Sequence, residues 1–339
     1  MKFPYQVRIE DPSQSGEARR NALSLCRSLN FNEILSNQVA IVVTELATNL
    51  IKHTSGAGGM LIFSPIEENG EFGLDILALD HGAGIANIAE CLQDGYSTTG
   101  TPGGGLGAIR RLSSVSDIYS MPNQGSGLFC RFWQKQHFES TRLLEVGAVC
   151  LTIKGEESCG DAWATKSNSN STVIMLVDGL GHGPDAAVAA NQAITIFRQS
   201  TTHNPKEILP LLQTGLNHTR GAAIAIAKIA FADNRVSFVG IGNISAIIFD
   251  QERSNHLVSH NGIVGLNAHN FKEFSYPWTQ NSLLVLHSDG VATHWSLANY
   301  PGLTAKHPAL IAGVLFRDYE RIHDDSTIVI AKAPQEYAL

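Results

Sequence analysis

The chain is short of charge. Asp, Glu, Lys and Arg make up 16% of its 339 residues, the formal net charge is -7, and no dense Lys/Arg cluster stands anywhere in it. That excludes the electrostatic footprint of a nucleic-acid binder. No uninterrupted apolar run reaches the length of a membrane span, and the start Met1-Lys-Phe-Pro-Tyr5 lacks the apolar core of a signal peptide. The expected location is therefore cytoplasmic, with no membrane partner. Cysteines are few: Cys26, Cys91, Cys130, Cys150 and Cys159 form an odd set without CxxC spacing. This argues against a disulfide framework and a zinc site, and reads as reduced, mostly buried thiols. The 13 histidines are scattered, with neither HExxH nor a tight His/Cys cluster.

Hydrophobic residues, by contrast, make up 43% of the chain, and 339 residues suit two domains, each able to bury a core. Residues 5–10 alternate like a half-buried strand, and Asp11-Pro-Ser breaks the pattern. Helical spacing follows from Glu17 to about Leu29 and again from Ser36, the expected N-cap, to His53. Two strands at 58–64 and 72–79 flank Glu67-Glu-Asn69-Gly70, a hairpin signal.

On the second helix Glu45 and Asn49 are four residues apart and share a face, which a solvated helix rim would also give. The strand ending Ala78-Leu79 runs into Asp80-His-Gly82-Ala-Gly84. Then Gly100-Thr-Pro-Gly103-Gly104-Gly105-Leu106-Gly107 opens a helix, a ready phosphate cradle through free backbone N–H groups. It matches neither GxxxxGK[ST] nor the dinucleotide fingerprint.

Glu45…Asn49, Asp80-x-Gly82-x-Gly84, Gly103-Gly-Gly-Leu-Gly107 and Gly125-Ser-Gly-Leu, in that order, resemble the GHKL ATP-binding family. Val43-Thr-Glu-Leu-Ala-Thr-Asn-Leu-Ile-Lys-His53 is most similar to its RsbT/RsbW-type serine kinases, over about residues 8–134. The resemblance implies ATP as cofactor, with Asn49 holding Mg²⁺, Glu45 orienting or deprotonating the attacking serine hydroxyl, and Asp80 accepting from the adenine amino group. Gly82 and Gly84 would admit the base, and Gly103, Gly104, Gly105, Leu106 and Gly107 would line the phosphates. Lys52 and His53 stand near enough to aid the phosphate charge, or are simply solvated. The short stretch between Gly84 and Gly103 suits a kinase of small proteins better than a chaperone with a long lid.

Periodicity lapses around Trp133–Arg142, where a division into domains 1–137 and 138–339 is placed. Beyond it, strands are expected at 145–153, 172–177, 222–231, 235–241, 246–250, 282–287 and from Ile328, with helices at 184–197 and about 205–217. The run Val173-Ile-Met-Leu-Val-Asp178-Gly-Leu-Gly-His-Gly183 empties a buried strand into a carboxylate and a glycine turn. Leu283-Leu-Val-Leu-His-Ser288-Asp289-Gly290 repeats that logic. Asp161 and the pair Asp324-Asp325 add acidic positions at further turns. Carboxylates brought together in a fold repel unless cations neutralise them, and oxygen-only ligands point to Mg²⁺ or Mn²⁺ rather than zinc.

Gly160-Asp161, Asp178-Gly-Leu-Gly-His-Gly183, Thr219-Arg-Gly-Ala-Ala, Ser288-Asp289-Gly290 and Asp324-Asp-Ser-Thr327 resemble the PP2C-like phosphatases, in particular their SpoIIE and RsbX branch, over about residues 142–333. This implies two Mn²⁺ or Mg²⁺ ions held by Asp161, Asp178, the Gly179 carbonyl, Asp289 and Asp324, with Asp324 rather than Asp325 in the ligand position. No arginine before Asp161 matches the phosphate-binding arginine of eukaryotic members. His182 reads as a turn residue in preference to a proton donor.

Together the resemblances imply an α+β chain: an N-terminal GHKL (Bergerat) α/β sandwich followed by a PP2C-like β-sandwich flanked by helices. They imply a kinase and a phosphatase acting on one serine or threonine of a STAS-domain partner in a sigma-factor or similar regulatory pathway, with a homodimer possible. A second reading makes the first domain a non-catalytic, ATP-bound module that sequesters its partner. A conformational ATPase is the third.

Overall fold

The computed structural model describes residues 4–54, 56–68, 70–85, 87–88, 105–135, 143–250, 253–268 and 271–334. The chain folds as mixed α and β structure in two compact units. The first takes the chain as far as Thr141 and includes Ala298–Arg317, and the second holds Arg142–Leu297 and Asp318–Pro334.

The first unit begins with β1 (Tyr5–Ile9), α1 (Pro12–Ser28) and α2 (Glu33–Lys52). Asp11-Pro-Ser does not break the chain but starts α1. The Asp11 carboxylate accepts from Ser13 N at 2.8 Å, while Gln14 Oε1 accepts from Asp11 N at 2.8 Å, and Pro12 costs nothing in a first turn. Likewise α2 is capped by Asn32, whose Oδ1 accepts from Leu35 N at 2.8 Å, so Ser36 lies inside the helix instead of capping it. β2 (Gly59–Glu68) and β3 (Glu71–Asp80) form the hairpin, closing at the pair Glu68↔Glu71 with Gly70 at φ 80°. After α3 (Gly105–Leu112) come β4 (Val115–Met121) and β5 (Gly125–Trp133). The antiparallel sheet runs β1-β2-β3-β5-β4.

Ala18, Ala22 and Leu25 of α1 and Val39, Val42, Leu46 and Leu50 of α2 bury against Leu61, Phe63, Leu74, Ile76 and Phe132 of the sheet. By length and composition alone α2 is apolar enough to cross a membrane, contrary to the expectation that nothing here approaches a span. Its apolar stripe is spent in this core.

The second unit runs β6 (Glu145–Leu151), β7 (Asp161–Ser167), β8 (Ser171–Gly179), α4 (Pro184–Gln199), α5 (Pro205–Gly215), β9 (Ala222–Ala230), β10 (Arg235–Ile241), β11 (Ser245–Asp250), β12 (Arg253–His256), β13 (Ser259–His260), β14 (Phe274–Pro277) and β15 (Ser282–His287). After α6 (Pro308–Tyr319) it closes with β16 (Ser326–Lys332). One sheet has the order β13-β10-β9-β8-β7, with β14 also on β10; the other has β12-β11-β15-β16-β6. Ile174, Leu176, Ala225 and Ala227 face Leu284, Leu286, Val329 and Ala331 across this sandwich. The alternate residues Val173, Met175, Val177 and Ile226 pack under Ala190, Phe197, Ile208 and Leu212 of α4 and α5. β8 is buried on both faces, which is why its sequence is an unbroken apolar run.

A single cut near residue 137 does not describe the units, because Ala298–Arg317, in sequence between β15 and β16, packs with the first. It covers the sheet face opposite α1 and α2. The His307 ring stacks on Phe129 with centroids 4.0 Å apart. A Cβ on Gly127 would lie 3.0 Å from Leu310 Cδ1, and one on Gly313 would lie 3.1 Å from Leu77 Cδ1. Buried Asp117 accepts from His307 N at 2.7 Å and Lys306 Nζ at 3.1 Å. A helix apolar all round has to be buried, and Ala309–Phe316 is.

Candidate functional site

In the first unit Glu45 and Asn49 lie half-buried, one turn apart on α2. A Cβ on Gly105 would come 3.0 Å from Glu45 Oε2, so this carboxylate stands against the first residue of α3. Gly107 is buried within α3 and Leu106 packs partly on the core. Gly103 and Gly104 lie outside the described residues.

Asp80 closes β3. Its Oδ1 accepts from Gly82 N at 2.7 Å and from Ser126 N at 3.3 Å. Burial raises its pKa, and the two amides and Arg317 act in the opposite direction. A Cβ on Gly82 would lie 2.9 Å from both Asp80 Oδ1 and His53 O, which packs the Asp80 corner against the end of α2. Gly84 has φ +70° and no room for a Cβ, 2.1 Å from Met121 O. Glu45 with Gly105, and Asp80 with Gly82 and the end of α2, are therefore two close groupings. Lys52 and His53 have exposed side chains.

In the second unit the ladder places Asp161, first residue of β7, directly opposite Asp178, near the end of β8. Asp289 leaves β15 one residue beyond Ser288, and Asp324 precedes β16, the antiparallel neighbour of β15. These elements bring the carboxylates to one end of the sandwich. Burial first, and then the charges of Asp289, Asp324 and Asp325, push the Asp178 pKa up to about 8. Burial and the neighbouring Asp178 hold Asp161 well above the carboxylate range, and burial and Asp289 raise Asp324.

Asp324 and Asp325 divide their work. Asp325 is 2% exposed and accepts from Ile153 N at 2.7 Å and Gly160 N at 2.6 Å, pinning the loop before β7. Asp324 faces the other carboxylates and takes one local bond, from Asp325 N at 2.9 Å. The backbone here is packed without slack: a Cβ on Gly179 would lie 2.3 Å from Ala186 O, and one on Gly290 would lie 1.9 Å from Asp325 O.

Two orienting contacts escape sequence reading. Ser288 Oγ donates to Asp161 Oδ2 at 2.6 Å and accepts from Thr327 N at 3.0 Å. Asn243 Nδ2 donates to Asp289 Oδ2 at 2.7 Å. Ser288 belongs to a recognisable Ser-Asp-Gly turn, but Asn243 carries no motif. His182 Nδ1 lies 3.1 Å from Glu156 Oε1, and Arg220 pairs with Asp185 at 2.6 Å.

Among the described residues no three His, Cys, Asp or Glu side chains stand ready-made as a metal cage. The donor chemistry nonetheless fits a hard divalent cation: buried carboxylate oxygens, mutually raised in pKa, beside a close-packed glycine backbone.

The family model of stage II sporulation protein E (SpoIIE) matches residues 168–334. Serine/threonine-protein kinase RsbT of Bacillus subtilis (strain 168) is 28% identical over 127 residues, 38% of this chain and 94% of RsbT. Phosphoserine phosphatase RsbX of the same organism is 21% identical over 142 residues, 42% of this chain and 71% of RsbX. A structure of RsbX in complex with magnesium aligns with a TM-score of 0.50 at 19% identity, over 58% of this chain and 98% of that one. A structure described as "The bacterial stressosome: a modular system that has been adapted to control secondary messenger signaling" aligns at 28% identity with a TM-score of 0.53, over 56% of this chain and 100% of that one. Residues 168–334 thus match the SpoIIE family model, and the chain is also similar to RsbT over 127 residues and to RsbX over 142.

Proposed function

We propose that this protein is a bifunctional switch: its first unit phosphorylates a serine or threonine of a STAS-domain regulator with ATP, and its second removes that phosphate. The observation that supports the reading is one chain holding both a 127-residue similarity to the kinase RsbT and a carboxylate cluster around Asp178 within the SpoIIE-matching residues 168–334. Writer and eraser on one chain raise each other's effective concentration around a shared substrate.

In the second unit Asp161, Asp178, the Gly179 carbonyl, Asp289 and Asp324 would hold two Mn²⁺ or Mg²⁺ ions. When bound, such cations lower the pKa of water and neutralise phosphoryl oxygens. Ser288 keeps Asp161 turned inward, Asn243 orients Asp289, and Asp325 fixes the backbone around them. In the first, GHKL-type unit, Asn49 would hold the Mg²⁺ of ATP, Asp80 would read the adenine amino group, and Glu45 would take the proton of the attacking hydroxyl. Gly105, Leu106 and Gly107 open α3 beside Glu45, where a helix N-terminus suits phosphate.

The other reading of the first unit, an ATP-bound sequestering module, needs no base. Label transfer from γ-labelled ATP to STAS proteins separates the two. Transfer by the wild type, falling at least about a hundredfold in Glu45→Ala as expected for loss of a general base, supports the kinase. Stable partner capture without transfer supports the module.

A further inference from the structure

The first unit's candidate nucleotide corner is held from behind by a residue that arrives from the far end of the sequence. The β3–β5 ladder ends at the pair Leu79↔Gly127, so Asp80 and Ser126 lie one position past its last rung. Their carbonyls turn instead to α6. Arg317 Nη1 donates to Asp80 O at 3.0 Å and to Ser126 O at 3.4 Å. These are the same two residues joined on the other side by the bond from Ser126 N to Asp80 Oδ1, at 3.3 Å. The corner has no slack, since a Cβ on Gly125 would lie 1.9 Å from Asp80 O.

The guanidinium itself is well fixed. Arg317 is 9% exposed. The start of α6 is tied to the sheet by the bonds of His307 N and Lys306 Nζ to Asp117. Between these ends, Leu310 and Gly313 seat the helix on Gly127 and Leu77.

We propose that Arg317 is a positioning residue of the nucleotide site, gripping the Asp80–Ser126 corner so that the Asp80 carboxylate is presented to the adenine amino group. The inference rests on the reading of the first unit as an adenine-nucleotide site. One terminal nitrogen, Nη1, serves both carbonyls, and the rigid guanidinium plane fixes where that nitrogen stands, which an ammonium on a flexible stem does not reproduce. The positive charge also favours the ionised form of Asp80, against the effect of burial. A segment that the sequence assigns to the phosphatase half thereby becomes a working part of the other active site.

The test uses the full chain, with N-methylanthraniloyl-ATP fluorescence in Mg²⁺ and displacement by ATP and by GTP. Wild type is expected to prefer ATP. Arg317→Ala is expected to weaken ATP binding by on the order of tenfold, the scale of a lost charge-assisted hydrogen bond, and to collapse the ATP-over-GTP preference. Arg317→Lys should recover part of the preference, and it also decides the matter if the alanine variant does not fold. A purely structural role would lower the melting temperature and weaken both nucleotides alike, so an unchanged ATP/GTP ratio in a folded variant overturns the proposal. Asp80→Asn serves as the separate control. If it loses the preference while Arg317→Ala keeps it, the nucleotide site stands and the role of Arg317 falls. If wild type binds neither nucleotide, the reading of the first unit falls and this inference with it.

Discussion

Asp325 gives its two carboxylate oxygens to the amides of Ile153 and Gly160, whereas the adjacent Asp324 turns toward Asp178 and Asp289. Equal charges one residue apart therefore have opposite energetics. Asparagine at 325 offers one carbonyl oxygen where two acceptors are needed, so Asp325→Asn should cost about 1–3 kcal/mol and lower the melting temperature in EDTA. Asp324→Asn removes a like charge from its neighbours. It should leave the EDTA melting temperature unchanged or raised, while abolishing stabilisation by Mn²⁺. Scanning calorimetry of both variants with and without Mn²⁺ checks this, and the reverse order of effects would contradict the division of roles. Both aspartates are visible in the sequence, but only the backbone trace shows which one the amides of residues 153 and 160 consume.

Asp80 gives a pH prediction at the same scale. Its ionised form accepts from an amino group more strongly than the neutral acid does, and burial raises its pKa. Nucleotide affinity should be full above that raised pKa and fall as pH is lowered through it, beginning at a higher pH than an ordinary carboxylate would set. Titrating nucleotide affinity from neutral to acid pH in the wild type and in Asp80→Asn tests it. A wild-type acid limb identical to that of the variant would remove Asp80 from the site.

Among elements, the turn after β15 shows how backbone fit carries chemistry. Gly290 leaves 1.9 Å between an added Cβ and Asp325 O, a contact backbone alone must relieve. Gly290→Ala is therefore expected to displace the β15 and β16 ends that carry Asp289 and Asp324. Phosphatase turnover with Mn²⁺ should fall by at least about tenfold, with a stability loss of about 1–3 kcal/mol as for overpacking. Wild-type turnover in Gly290→Ala would show that the turn does not set the ligand geometry. Strands such as β8 were legible because burial on both faces leaves an unbroken apolar run between turn residues. The starts of α1 and α2 were less so. A proline after aspartate signals a break and a first helical turn equally well, and only the bond to Asp11 chooses between these; Asn32 and Ser36 are both capping residue types, and only the bond from Leu35 N to Asn32 chooses the cap.

At the scale of the molecule, chain order and packing order part company at Ala298–Arg317. An apolar helix announces that it will be buried but not against which sheet. Nothing local in Pro308–Tyr319 names the Phe129 face, because the matching features, Gly127 and Asp117, stand far away in the sequence. The motifs themselves were local, and so were legible: Glu45…Asn49, Asp80-x-Gly82 and Asp178-Gly179 each occupy one element and its end. Asn243 and Arg317, which bond to Asp289 and to the Asp80–Ser126 corner from other elements, were not.

The claim that one chain writes and erases the same mark is tested most directly by intact mass of a single STAS-domain protein. The partner would be incubated with the full-length protein and ATP-Mg²⁺, and then, after ATP is removed, with Mn²⁺. With the wild type, the partner is expected to gain one phosphate and then lose it. With Asp178→Asn it should gain the phosphate and retain it, and Glu45→Ala should fail to add it but strip it from partner already phosphorylated. A partner that gains no phosphate from the wild type, or a phosphate that Asp178→Asn removes as fast as the wild type does, would contradict that claim.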